Sequence, residues 1–268
     1  AGLEMLYAGA TLEAVGGAAR VAIACASARI EDAHGVVREL PAWQSATLHN
    51  GERVRVRTIG PTATAYLAIE GGFALAPSLG SRSTYTPAQL GGFAGRALRV
   101  GDVLSLRASA PTGCAERHIP SAPALPIPGT IRVLLGPQSD RFDPASIERF
   151  LNSTYSVTPA SSRVGFRLEG PVLTHCDGYD LLSEGVVDGS IQVPGSGQPV
   201  ILIADHPTVG GYPKIATAIS ADISAIGRLR IGGTVRFQAV DEASAAATRR
   251  EERARFESAA ASIRHDAS

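Results

Sequence analysis

The stretch VILIADHPTVGGYPKIATAIS, residues 200–220, decides how the chain is read. Two apolar runs of strand length flank an acid, a histidine, two prolines, a double glycine, a tyrosine and a lysine. A tight hairpin needs glycine but has no use for so many polar groups. A phosphate or carboxylate site would use them all, so the segment reads as strand, polar loop and strand, with the loop as a candidate site.

Outward from this segment the same texture recurs. LEMLY, RVAIACA, RVRVRTI, AYLAIE, IRVLL and VGFRLEG are short runs rich in Val, Ile and Leu, or alternating apolar with polar, mostly bounded by Gly, Pro or Asn. That is an all-β pattern. Helical exceptions are few. Residues 143–153 open with Asp143 at the cap and Pro144 in the first turn, and 220–229 open with Ser220. A third helix is predicted from about Asp241 to Arg264, where mixed charges stand at helical spacing among alanines.

The composition excludes several classes. With 268 residues, 44% of them hydrophobic, the chain can build one large or two modest cores. Its 25 basic and 25 acidic side chains cancel, so no field draws in nucleic acid. No run reaches the roughly 18 apolar residues of a membrane span. Cys25, Cys114 and Cys176 are widely spaced without a CxxC pair, which argues against a zinc site or disulfide framework and fits a reducing cytoplasm. With Ala1 first and Met5 the only methionine, either the natural start lies upstream or the chain has been cut.

A repeated pattern organises the rest: Leu, two residues, Gly, two residues, apolar, one residue, apolar. Its members are Leu48, Gly51, Val54 and Val56; Leu98, Gly101, Leu104 and Leu106; and Leu229, Gly232, Val235 and Phe237. Glycine supplies a turn with positive φ, and the alternating pair enters a half-buried strand. The order of segments predicts two β subdomains in tandem, at 1–107 and 130–240. A Pro, Ala and Ser-rich linker joins them at 108–129, and a helix with a tail closes the chain at 241–268.

Polar clusters stand at matching places in the two halves. Ser81, Arg82, Ser83 and Thr84 lie in a glycine-bounded loop. Such a loop either holds an oxyanion or is an ordered connection whose arginine pairs with a carboxylate; it lacks the lysine of a P-loop. In the second half Arg163, Gly165, Arg167 and Glu169 alternate with apolar residues, forming an ion-pair network or the wall of an anion site. Glu184 and Asp205 are candidate general bases or metal-facing carboxylates, and Gln192 lies near two turns.

YLAIEGGFALAPSLGSRSTYTPAQLGGFAGRALRVGD, IRVLLGPQSDRF, SSRVGFRLEGP, SEGVVDGSIQVPGSGQPVILIADHPTVGGYPKIATAIS and GGTVRF, in this order, resemble the biotin-dependent carboxyltransferase family. That family includes the C subunit of 5-oxoprolinase, the kinase-inhibitor antagonist KipA, allophanate hydrolase subunit 2 and the carboxyltransferase domain of urea carboxylase. The resemblance implies cyclophilin-like β-barrel subdomains. It implies a protein that joins a KipI-like subunit and a lactam-hydrolase-like subunit to open 5-oxoproline to glutamate with ATP, Mg being the expected companion of the nucleotide. Alternatives are a KipA-like binding protein without chemistry of its own, or a biotin-dependent carboxyl transfer with biotin brought by a partner.

On this resemblance Arg82, Arg163, Arg167 and Lys214 are the expected cations, and Ser81, Ser83, Thr84 and Thr208 the hydroxyl donors. Lys214, Arg167, Glu184 and Asp205 are the catalytic candidates. Gln192 and Tyr212 line the pocket, where Gly210 and Gly211 bring the backbone close to a ligand. No metal ligand set is expected. Relatives carry a further N-terminal segment containing Gly and Arg, so the chain alone is expected to be inactive.

Overall fold

The computed structural model describes residues 2–57, 59–60, 62–107, 115–122, 125 and 129–265. The chain divides into two compact units, one of Ala1–Ala122 with Ala259–Ser268 and one of Pro123–Ser258. Most of the 108–129 stretch expected as a linker, with Cys114 in it, lies outside the described residues.

In the first unit the strands are β1 (Gly2–Leu6), β2 (Thr11–Glu13), β3 (Ala19–Ala24), β4 (Ala28–Glu31), β5 (Val37–Leu40), β6 (Gln44–Leu48), β7 (Arg53–Val56), β8 (Thr64–Ile69), β9 (Thr84–Tyr85), β10 (Leu90–Gly91) and β11 (Arg117–His118). The second contains β12 (Thr130–Leu135), β13 (Tyr155–Val157), β14 (Gly165–Glu169), β15 (Glu184–Gly185), β16 (Ser190–Gln192), β17 (Val200–Leu202), β18 (Val209–Gly210), β19 (Lys214–Ala218) and β20 (Thr234–Ala239). Its helices are α1 (Pro144–Asn152), α2 (Ser220–Ile226) and α3 (Glu242–Ala261), and β21 (Arg264–His265) returns to the first unit. Mostly strand with a few helices, the fold is of the class the sequence pattern predicts.

Alternation places the side chains. Along β3 buried and half-buried residues alternate, and along β4 and β7 buried and exposed ones do, so Val21, Ile23, Ile30, Val54 and Val56 point into one core. These strands form a six-stranded sheet, β1-β8-β3-β6-β11-β21, and a four-stranded one, β2-β7-β4-β5. Ring closure belongs to the second unit, where β12-β19-β16-β17-β14-β13-β20 make a closed barrel. The closing seam is parallel, Thr130 to Val133 of β12 lying beside Arg236 to Ala239 of β20. Ile131, Leu168, Ile191, Ile201, Ile215 and Phe237 fill the interior.

α1 forms as the sequence predicts. The Asp143 carboxylate accepts from the Ser146 N–H at 2.5 Å, Pro144 opens the first turn, and Phe150 is carried into the core, where its ring stacks on Phe237 at 4.2 Å. α2 is shorter than the expected 220–229, and Ile219 rather than a hydroxyl residue stands at its cap. Asp222 in its first turn is instead taken by Arg132, whose backbone N–H (2.8 Å) and Nη2 (2.5 Å) both donate to it.

The repeated glycine pattern holds in its turns and fails once in its strands. Gly51, Gly101 and Gly232 have φ of 84°, 90° and 81°. After the first and third, Val54 and Val56, and Val235 and Phe237, enter strands and are buried. After Gly101 no strand follows, and only Leu106 makes a single bridge, to Phe73. The physical reason is a local clamp. The Asp102 carboxylate accepts both Arg96 guanidinium N–H groups, at 2.7 and 2.8 Å, and the Arg99 N–H at 2.7 Å. These bonds hold its pKa down to about 2, with Arg96 the largest cause, and they tie the chain into a turn.

Two substitutions separate packing from backbone strain. Phe150→Ala, at a fully buried ring, is expected to lower unfolding free energy by about 3–5 kcal/mol. Gly232→Ala, with open space around the added methyl, is expected to lose only the strain of a left-handed residue, about 1–2 kcal/mol. Urea denaturation of the two variants checks the ordering.

Candidate functional site

A cluster of hydrogen-bonded polar groups in the second unit surrounds Lys214. This residue opens β19 and pairs with Gln192 at the end of β16, across a bulge at Ile191 and Gln192. Both are buried, at 3% and 6% exposure. A two-stranded ribbon, β15 with β18, lies against them, Glu184 pairing with Gly210. The approach is close: a Cβ on Gly210 would collide with Gln192 Nε2. Glycine at 210 therefore admits the ribbon against the Gln192 amide, which is a neighbour different from the ligand expected there.

From the ribbon Glu184 reaches back to the barrel. Its Oε1 accepts from Lys214 Nζ, and from Gln138 Nε2 at 2.5 Å. Gln138 is fixed in turn: its Oε1 accepts from the Lys214 N–H at 3.1 Å and its N–H donates to the Lys214 carbonyl at 3.1 Å. The Lys214 hydrogen bond chiefly, and that of Gln138 in addition, hold the Glu184 carboxyl below its ordinary pKa. Glu184 is thus a carboxylate engaged by a lysine rather than a free base.

Lys214, Glu184, Gln192 and Gly210 are therefore brought together, and Gln138 is the member sequence reasoning missed. It lies far from Lys214 in sequence, on the turn that leaves β12, and reaches it because β12 pairs with β19. The Gly136-Pro137-Gln138 turn after an apolar strand was the available signal.

Arg167 sits on the same level as this corner. Arg167 pairs with Val200, Val200 with Gln192, and Gln192 with Lys214, a row across four neighbouring strands. Three strand spacings of about 4.8 Å put the Arg167 and Lys214 backbones about 14 Å apart along the curved barrel wall. The alternation predicted for this strand is observed, with Arg167 and Glu169 exposed and Phe166 and Leu168 buried.

Other candidates are engaged elsewhere. Asp205 accepts from Arg163 Nε at 2.9 Å and Nη2 at 3.4 Å, so both its oxygens are taken by one guanidinium. This ion pair realises the network alternative for Arg163 and gives the Asp205 carboxylate a guanidinium partner. Thr208 is exposed, its carbonyl accepting from the Val186 N–H, and Tyr212 is exposed at 40%. Gly211 carries the carbonyl that receives the Leu181 N–H.

In the first unit the loop of Ser81, Arg82, Ser83 and Thr84 bonds to itself. Arg82 Nε donates to the Leu75 carbonyl at 3.0 Å, and the Ser81 hydroxyl accepts from the Ser83 N–H at 3.1 Å. Thr84 packs against Gly92, where a Cβ would overlap its hydroxyl. Arg82 Nε thus meets a backbone carbonyl rather than the carboxylate of the ordered-connection alternative. Arg82 Nε and the Ser83 N–H are thus used within this region, while the Arg82 Nη groups and the Ser81 and Thr84 hydroxyl protons are not engaged by these bonds.

Among the described residues no three His, Cys, Asp or Glu side chains converge as metal ligands, and no helix is long and apolar enough to cross a membrane. A cleft of about 680 Å³ lies between α2 and α3 and is lined by Arg132, Asp222, Arg228 and Glu251 among others, away from Lys214.

Fold and site together define a two-unit β protein whose closed barrel carries a buried lysine and two carboxamides at one corner. The chain belongs to the family of the carboxyltransferase domain, subdomain A and B, which matches residues 1–239. It is 40% identical over 185 residues to the 5-oxoprolinase C subunit of Haemophilus influenzae, covering 69% of this chain and 59% of that protein. Against the 5-oxoprolinase C subunit of Escherichia coli the identity is 34% over 210 residues, with 77% and 66% covered. The chain thus spans about three fifths to two thirds of the length of these curated relatives. The crystal structure of the Kluyveromyces lactis urea carboxylase superposes with a TM-score of 0.83 at 26% identity, over 96% of this chain and 24% of that one.

The corner makes an asymmetric prediction. Glu184→Ala leaves the buried Lys214 ammonium without its carboxylate and is expected to destabilise by on the order of 3 kcal/mol. Lys214→Met removes the buried charge itself and is expected to lose clearly less, the freed Glu184 being partly exposed. The sign with pH follows from the lowered pKa of Glu184. The pair's contribution is complete above 4.5 and disappears as pH falls through the depressed value. Melting temperature against pH is therefore expected to fall less steeply on the acid side in Glu184→Gln than in the wild type.

Proposed function

We propose that the chain is the C component of an ATP-dependent 5-oxoprolinase, acting with two partner subunits to convert 5-oxo-L-proline to L-glutamate. The observation that carries this reading is the 40% and 34% identity to two bacterial proteins of that name. The chemistry opens the lactam: the ring C–N bond breaks, water supplies the oxygen of the new carboxylate, and the ring nitrogen becomes the amine, while ATP is hydrolysed to ADP and phosphate in the assembled complex. The ring carbonyl and the carboxylate of the substrate both call for N–H and ammonium donors. Lys214, Gln138 and Gln192 are the donors of this chain proposed for that duty, with Arg167 at the rim. The partners would be a KipI-like protein and a lactam-hydrolase-like one, in the cytoplasm.

A second reading, carboxyl transfer of the urea carboxylase type with biotin delivered by a partner, is favoured by the structural match over 96% of the chain. Its donors would be the same, since a urea or carboxybiotin carbonyl makes the same demand.

ATP-dependent glutamate release from 5-oxoproline, measured with the full-length protein and both partner subunits, tests the first reading. Turnover is expected to vanish when this chain is omitted and to fall at least about 100-fold in Lys214→Ala. A complex that assembles without any turnover would transfer the assignment to the carboxyltransferase reading or to a KipA-like binding role.

A further inference from the structure

The corner at Lys214 has three donors and a borrowed acceptor. Lys214, Gln138 and Gln192 belong to the barrel or to the turn leaving it, and Lys214 and Gln192 are more than nine-tenths buried. The acceptor, Glu184, comes from the two-residue strand β15, and its side chain is 44% exposed. A single oxygen, Oε1, collects both the Lys214 ammonium and the Gln138 amide. The third donor is left over: Gln192 Nε2 is buried and has no hydrogen-bond partner among the described residues. A buried amide without an acceptor is unfavourable, and a group that satisfied it would be bound for that reason.

We propose that the position of the Glu184 carboxylate is a binding site for the carboxylate of a small molecule, and that Glu184 is a built-in stand-in which that ligand displaces. One ligand oxygen takes the place of Oε1 between Lys214 Nζ and Gln138 Nε2. The second oxygen accepts from Gln192 Nε2 once the Glu184–Gly210 end of the ribbon withdraws. The ribbon is short enough to move without breaking the barrel, since β15 and β18 pair only with each other. This deepens the site reading given above and rests on it: it assigns to the corner a carboxylate-bearing ligand and an internal competitor.

The test uses acetate as the probe and needs no turnover. Purified Glu184→Ala protein is heated in sodium acetate and, at matched ionic strength, in sodium chloride. Acetate is expected to raise its melting temperature by several degrees with a saturable dependence, and to act on the wild type only at much higher concentration, because there it must first displace Glu184 from the corner. The response is expected to disappear in Glu184→Ala/Lys214→Met and to require about threefold or more acetate in Glu184→Ala/Gln192→Leu. If Glu184→Ala does not fold by itself, its refolding yield in acetate against chloride gives the same readout. Equal effects of acetate and chloride would overturn the proposal and leave the contact as a structural ion pair. A saturable acetate response in a protein whose complex does not open 5-oxoproline would uphold the carboxylate site while removing the oxoprolinase reading.

Discussion

Everything at the candidate site depends on how the second barrel is closed. Strands β12 and β20, separated by a hundred residues of chain, run parallel and seal the ring, so that no edge of the barrel is left to pair with another molecule. Closure fixes β12, and β12 fixes β19 through Val133, Leu134 and Leu135. Only then does the Gly136-Pro137 turn deliver Gln138 beside Lys214. The interior that enforces this closure is apolar and tightly filled, with Phe150 and Phe237 stacked. The polar corner lies at one end of it, where a bulge lets β19 depart from regular pairing.

The electrostatics of the corner fit a site better than they fit a stabilising device. A buried ion pair contributes little net stability, because desolvation offsets most of the Coulombic gain, and hydrophobic residues of the same volume would serve a core as well. Here the lysine is inside and its carboxylate is half outside, so the desolvated group is the cation. Such an arrangement stores an anion preference at a defined point of the barrel wall.

Much of the fold was legible in the sequence because strand alternation is local. RVRV in β7 and GFRLE in β14 show on inspection which residues face inward, and Asp143-Pro144 announces α1. The positive φ at Gly51, Gly101 and Gly232 was likewise foreseeable from a repeated spacing. What was not legible was which partner each polar group takes, whether near or far in the chain. Leu104 and Leu106 lost their strand to the clamp that Arg96 and Asp102 make. Asp205 was taken by Arg163, and Arg82 by the Leu75 carbonyl. Lys214, Glu184, Gln192 and Gly210 came together as a set because their segments are joined by family resemblance, whereas Gln138 depends on the pairing of β12 with β19, which no spacing reveals.

The pairing of β21 with β11 has a consequence for synthesis. The first unit is discontinuous: its last strand, Arg264–His265, is translated after the whole of Pro123–Ser258. A ribosome therefore releases every strand of the barrel before the sheet of the first unit receives its edge. The barrel's seam is complete in sequence at Ala239, so the order of the chain places the barrel's last strand before the strand that gives the first unit its edge.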